Sequence, residues 1–147
     1  MEHTGIMIRA ARASDLPAVL NLARECGLFE TGVQEGIDGF LVGVDGERVV
    51  ATCGLEEHAG RGLLRTLAVL GECQGRGLGK GLVKAAMLRA RERGLRSVHL
   101  LTTTAPEFFA ALGFEKLERD AAPPEIRDSW EFKTGCPATA ILMSCTL

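Results

Sequence analysis

The sequence predicts an α/β (α+β) fold, and three observations predict it. Short runs of strand character recur along the chain, three of them succeed one another in its middle, and one long segment then switches to a helical period. With 147 residues, 46% of them hydrophobic and 24% charged, there is material for one core. Divided in two, the chain would be too thin to bury a core in each half, so residues 1–147 are expected to form a single domain.

The elements follow in order. Residues 6–10 read as a short strand. Ser14 can cap a helix from Asp15 to about Cys26, in which Leu16, Val19, Leu20 and Ala23 recur at helical spacing and Gly27 stands where a helix stops. Residues 40–44 are a strand, Asp45 and Gly46 supply a tight turn, and residues 49–53 return antiparallel. A glycine-rich turn at 59–62 leads into a third strand at 63–70, completing the meander. Leu78, Leu82, Val83, Ala86, Met87 and Ala90 then fall at helical intervals, with Lys84, Arg89, Arg91 and Arg93 opposite and Gly94 ending the run. Residues 97–101 form a buried strand in which His99 is a packed residue. Residues 106–112 form a short helix, Gly113 and Phe114 open an extended piece, a helical turn follows Pro123 and Pro124 through Arg127, and residues 138–143 are a last strand.

Composition excludes several classes of function. A formal charge of −2, from 17 basic and 19 acidic side chains, provides no basic field for a nucleic-acid backbone. No apolar run approaches the roughly 20 residues that cross a bilayer. Met1, Glu2, His3 and Thr4 lack the basic start and apolar block of a signal peptide, so a cytoplasmic location is the expectation. The cysteines, Cys26, Cys53, Cys73, Cys136 and Cys145, form no CxxC pair and read as small buried thiols. His3, His58 and His99 are scattered, and no metal site is expected. The chain has no tyrosine, hence no phenol to donate a proton.

Chemistry concentrates in Gln74-Gly75-Arg76-Gly77-Leu78-Gly79-Lys80-Gly81, a glycine-rich turn between a strand and the long helix. Free N–H groups in the first helical turn, with the positive end of the helix dipole, make a receptor for an anion such as a pyrophosphate. GxxxxGK[ST] fails because Gln74 stands at its first glycine, and GxGxxG fails at its last position. A phosphorylated ligand of another kind is implied.

Leu67-Ala68-Val69 followed by this turn resembles the [RQ]xxGx[GA] signature of the GCN5-related N-acetyltransferases, the GNAT superfamily. Residues 109–114, Phe-Ala-Ala-Leu-Gly-Phe, are similar to that superfamily's YxxxGF segment. The resemblance implies a GNAT fold, with a mixed, mainly antiparallel central sheet of about six to seven strands flanked by helices. It also implies acetyl-CoA as co-substrate and no metal. Gln74, Gly75, Arg76, Gly77, Leu78, Gly79 and Lys80 would hold the pyrophosphate, Leu67, Ala68 and Val69 would line the pantetheine arm, and Thr102 would either hydrogen-bond the cofactor or be a structural strand-end residue. Residues 100–114 and 64–69 look like the acetyltransferase domain of N-acetylglutamate-synthase-type enzymes. The tail, with Pro124-Glu125-Ile126-Arg127, Phe132 and Cys136-Pro137-Ala138, is similar to short GNAT proteins associated with arsenic resistance.

These likenesses imply an N-acetyltransferase acting on the α-amine of a free amino acid or amino-acid-like small molecule, glutamate-like by preference. A detoxifying enzyme for a toxic amino-acid analogue and a non-catalytic acyl-CoA-binding sensor are the alternatives. Arg65, on one strand face with Leu67 and Val69 by alternation, is a candidate grip for an acceptor carboxylate, and Arg127 is a second. The alternative for Arg65 is a structural ion pair. Glu56, with Glu57 and His58 beside it, is the candidate base, and the amide near Leu67 is the candidate polariser of the thioester carbonyl. The acid is where the chain departs from the family: Phe109 occupies the tyrosine position, leaving Cys136, a water, or departure of the thiolate unprotonated. Neither nucleic acid nor membrane is an expected partner, and a homodimer is left open.

Overall fold

In the computed structural model the chain is described over residues 6–147, so Met1 to Thr4, His3 included, lie outside the described residues. The elements are β1 (Ile6–Ala10), α1 (Leu16–Glu25), β2 (Phe40–Asp45), β3 (Arg48–His58), β4 (Arg61–Val69), α2 (Leu78–Glu92), β5 (Ser97–Thr102), α3 (Pro106–Ala110), β6 (Glu115–Lys116), α4 (Pro124–Arg127) and β7 (Ile141–Thr146). A seven-stranded sheet results, in the order β1-β2-β3-β4-β5-β7-β6. β4 and β5 run parallel, and β1–β2, β2–β3, β5–β7 and β6–β7 pair antiparallel. The parallel pair requires a long connection, and α2 is that crossover. The expected mixed, mainly antiparallel sheet flanked by helices is what forms.

By contact density the chain divides into two units, residues up to 55 with 66–86, and 56–65 with 87–147. In the first, Val19, Val33, Phe40, Val42 and Val44 are fully packed, with Leu16, Leu20, Ile37 and Val49 against them. Gly54 makes this packing possible, because a Cβ there would stand 2.6 Å from the Phe40 ring. Leu78, Leu82, Val83 and Ala86 of α2 are buried, the stripe that the helical period predicted. In the second unit Leu63, Val98, Leu100, Phe114, Ile126, Leu142 and Met143 are among the buried residues, and β5 pairs with β7 from Ser97 opposite Thr146 to Thr102 opposite Ile141.

Several boundaries differ from the sequence expectation. Ser14 does not cap α1: residues 13–15 are a 3-10 turn, and the Asp15 carboxylate accepts from the Arg12 backbone N–H at 2.7 Å and from Arg9 at 2.7 and 3.1 Å. A carboxylate charge-paired to Arg9 is a stronger acceptor than a hydroxyl. β3 runs on to His58, which places Glu56 and His58 on a strand instead of in a solvated turn. The last strand starts at Ile141 because Pro137 opens a turn closed by the Ala140 N–H on the Pro137 carbonyl at 2.9 Å. One turn of wide helix, Glu131–Gly135, has no signal in the sequence pattern. Cys53 and Cys73 are buried as expected, whereas Cys26 is exposed.

Candidate functional site

The glycine-rich turn has the form an anion cradle needs. Gly75 and Gly77 hold φ values of 82° and 77°, which only glycine adopts without strain. α2 begins at Leu78, whose side chain is buried and fixes the turn to the core, and the Gly81 N–H closes the first turn on the Gly77 carbonyl at 3.0 Å. The amides before Gly81 precede the first residue that can be bonded within the helix, and no acidic side chain occupies the first turn. Gly75, Arg76, Gly77 and Lys80 are exposed there. Gln74 acts instead as a tie, since its side-chain amide donates to the Val69 carbonyl at 3.0 Å and fastens the turn to the end of β4.

β4 is not a regular strand. Thr66 sits at φ 55°, an outlier for a β-branched residue at a cost of about 1–2 kcal/mol. A left-handed residue bends the strand and re-aims the next peptide, the one carrying the Leu67 N–H. The two-residue alternation is interrupted between Arg65 and Leu67, and this corrects the inference that Arg65, Leu67 and Val69 share a face. Ala68 is buried, and Leu67 and Val69 are half-buried.

Arg65 is committed to carboxylates of its own chain. Its side chain is 6% exposed, and Nη1 donates to Glu56 Oε2 and Glu131 Oε2, each at 2.8 Å. The opposite oxygen of Glu56, Oε1, lies 3.0 Å from His58 Nε2. The two carboxyl groups also hydrogen-bond to each other. Burial pushes Glu131 up to about 7, helped by the hydrogen bond to Glu56 and its charge and opposed by Arg65. Burial acts the same way on Glu56, but hydrogen bonds from His58, Arg65 and Glu131 outweigh it and bring that carboxyl down to about 2. The hydrogen bond to Glu56 raises His58 against the effect of burial.

The remaining candidates disperse. Glu57 pairs with Arg93 away from Glu56, as neighbours on a strand must. Thr102 is buried and its hydroxyl oxygen accepts the Ala105 N–H at 3.1 Å, shaping the turn into α3. Arg127 is exposed at the end of α4. Cys136 is half-buried; burial and the Glu131 charge hold its thiol above the ordinary value, with Arg119 and Arg65 opposing. Such a thiol is a poor proton donor to a thiolate of ordinary pKa. Phe109 packs edge-on to Phe108 and Phe114, with centroids 5.1 and 6.0 Å away. His99 is a packed strand residue: Nε2 lies 2.8 Å from Ser97 Oγ, and burial, then the Arg61 charge, lower it to about 4. Among the described residues no group of three or more His, Cys, Asp or Glu could hold a metal ion.

Sequence reasoning missed Glu131 and the kink at Thr66. Glu131 lies 66 residues from Arg65, in a stretch without periodicity, and nothing local marks it. Threonine favours strands, so its type argues against the conformation it adopts.

A family model described as an acetyltransferase (GNAT) domain matches residues 36–116, more than half of the chain. An uncharacterised N-acetyltransferase of Chlorobaculum tepidum is 29% identical over 138 residues, covering 88% of this chain and 86% of that protein. N-acetylglutamate synthase of Neisseria gonorrhoeae, solved with coenzyme A and N-acetyl-glutamate, superposes with a TM-score of 0.82 at 24% identity, covering 97% of this chain and 35% of that one. This chain thus spans about a third of that synthase's length. Rv2747 of Mycobacterium tuberculosis, solved in complex with CoA, gives a TM-score of 0.82 at 26% identity over 96% of this chain and 99% of that one.

Proposed function

Since the chain belongs to the acetyltransferase (GNAT) family, we propose that it moves the acetyl group of acetyl-CoA to the α-amine of a free amino acid or amino-acid-like small molecule. Acetyl-CoA is the co-substrate that fits this family and this chain. Its pyrophosphate rests on the amides of Gly75, Gly77, Leu78, Gly79 and Lys80, with Arg76 and Lys80 beside it and the pantetheine arm along Leu67 to Val69. The Leu67 amide, re-aimed by Thr66, polarises the thioester carbonyl. The acceptor nitrogen attacks, and the thiolate, already a fair leaving group near neutrality, takes its proton from water, since Phe109 has none to give.

The observation that carries the reading is the glycine-kinked turn at the start of α2, with Gly75 and Gly77 both left-handed. A small amino-acid acceptor is supported by the likeness to N-acetylglutamate-synthase-type sequences. Arg65, already shared by two glutamates, is a poor receptor for a third carboxylate, so the exposed Arg127 is the better grip for the acceptor's carboxylate. The test is acetyl-CoA with a panel of amino acids, read by mass spectrometry for N-acetyl products and by release of CoA. Acceptor-dependent release on amino acids supports the reading, and release confined to polyamines or peptides rejects the acceptor class.

A second reading has one observation in its favour: Phe109 is locked in an aromatic cluster where the family's phenol would stand. A non-catalytic acyl-CoA sensor would bind CoA tightly and release none in the presence of any acceptor. No helix among the described residues is long and apolar enough to cross a membrane.

A further inference from the structure

Val69 ends β4, and the residues after it fold straight back onto its carbonyl. Gly71–Cys73 is a 3-10 turn, closed by the Cys73 N–H on the Leu70 carbonyl at 2.8 Å and by the Gln74 N–H on the Gly71 carbonyl at 3.2 Å. Cys73 is buried and anchors the turn, which leaves the exposed Gln74 beside the strand end. There Gln74 Nε2 donates to the Val69 carbonyl at 3.0 Å, and Cys26 Sγ stands 4.0 Å from the same oxygen. All of these residues belong to the first unit. A carbonyl oxygen only accepts, so the carboxamide nitrogen must face it and Oε1 is turned away from it. Among the described residues nothing donates to that Oε1.

The direction of the Val69 carbonyl follows from its neighbour. The Leu70 N–H donates to the Val50 carbonyl of β3 at 2.8 Å. Across a trans peptide the C=O of one residue and the N–H of the next point to opposite sides, so the Val69 carbonyl faces the edge of β4 turned away from β3. Residues two apart on a strand present their backbone groups to the same edge. The order of groups there is Leu67 N–H, Leu67 C=O, Val69 N–H and Val69 C=O, and Gln74 already holds the last.

An acyl-pantetheine chain carries the complementary order: thioester carbonyl, first amide N–H, first amide carbonyl, second amide N–H. The first three match the Leu67 N–H, the Leu67 C=O and the Val69 N–H, while the fourth meets a carbonyl already faced by Gln74 Nε2 and Cys26 Sγ. We propose that Gln74 binds the acyl donor by its arm, Oε1 accepting the N–H of the second pantetheine amide in place of the Val69 carbonyl that Nε2 occupies. A carboxamide suits this relay because it donates at one end and accepts at the other, as a peptide group does. The inference rests on the acetyltransferase reading above and moves Gln74 from the pyrophosphate, where the family likeness put it, to the arm.

The test compares three donors on whichever amine the panel shows to be acetylated. They are acetyl-CoA, S-acetylpantetheine, which has both amides and no pyrophosphate, and S-acetyl-N-acetylcysteamine, which has the first amide alone. Gln74→Met keeps the length and removes both polar ends; it should lower kcat/KM about fivefold for the first two donors, the worth of one neutral hydrogen bond, with no loss for the third. Gln74→Arg keeps a donor for Val69 but has no acceptor, and should lose the same factor with S-acetylpantetheine. No loss, a loss confined to acetyl-CoA, or an equal loss on all three donors overturns the proposal, the second outcome assigning Gln74 to the pyrophosphate and the third to the fold. Nuclear magnetic resonance of the wild type needs no acceptor: pantetheine should shift the Gln74 side-chain amide signals, and N-acetylcysteamine should not. Signals unmoved by saturating pantetheine reject the contact. If no amine is acetylated while pantetheine still moves those signals, the acetyltransferase reading fails and the binding of the arm stands.

Discussion

Glu131→Gln changes how stability depends on pH, and the size of the change follows from the cluster that Glu131 forms with Arg65 and Glu56. Folded, Glu131 keeps its proton up to about pH 7; unfolded, it releases it near its ordinary 4.5. Between these values the native state binds more protons than the unfolded state, so stability falls as pH rises, and the loss is complete above about pH 7. At about 1.4 kcal/mol per pH unit, this amounts to roughly 3 kcal/mol. Glu56 works in the opposite sense and in another window: its contribution is present above its ordinary 4.5 and is lost as the pH falls towards about 2. His58, raised by Glu56 and to a lesser degree by the Glu131 charge, loses its contribution as pH climbs through its folded pKa, in the variant as in the wild type. Urea unfolding of both proteins between pH 5 and pH 8 measures the difference. Wild type should lose about 2–3 kcal/mol relative to Glu131→Gln across that interval, which starts just above the unfolded pKa. Two curves that run parallel within about 0.5 kcal/mol would refute a proton held at Glu131 in the native state.

Other outcomes follow from neighbouring features. Gly75→Ala meets no atom within 4 Å, so its effect is backbone strain alone; CoA affinity should fall about tenfold by isothermal titration while the acceptor KM stays put. Arg65→Ala removes the one guanidinium shared by two buried carboxyls, leaving Glu56 with His58 and the two carboxyls with each other, and should cost about 3 kcal/mol in urea unfolding, with the loss shrinking as pH falls and both carboxyls protonate. Phe109→Tyr restores a phenol and should raise kcat if thiolate protonation limits turnover. Its hydroxyl enters an aromatic cluster, so Tm should drop by an amount equivalent to about 1–3 kcal/mol.

Local signals were legible in the sequence because their causes are local. The period of Leu78, Leu82, Val83 and Ala86 fixed α2, and those residues are the ones buried. Gly75 and Gly77 were recognisable because a left-handed turn demands glycine. Ser14 has the residue type of a cap, but Arg9 pairs with Asp15 and makes that carboxylate the acceptor instead. The length of β3 escaped for a similar reason: Glu56 and His58 look solvated until Arg65 is placed beside them.

By itself the sequence determined the strand-helix order, the anion-holding turn and the absence of a tyrosine at position 109, all properties of residue type and short spacing. Only the tertiary structure decided which carboxylates meet Arg65, and that Thr66 kinks the strand between Arg65 and Leu67. The physical reason is that a proton is held by its neighbours in space. Glu131 and Glu56 are the same residue type with the same ordinary acidity, yet one titrates at about 7 and the other at about 2. That separation comes from an imidazole that bonds Glu56 and from the hydrogen bond and charge between the two carboxyls, and no window of sequence around Glu131 contains either partner.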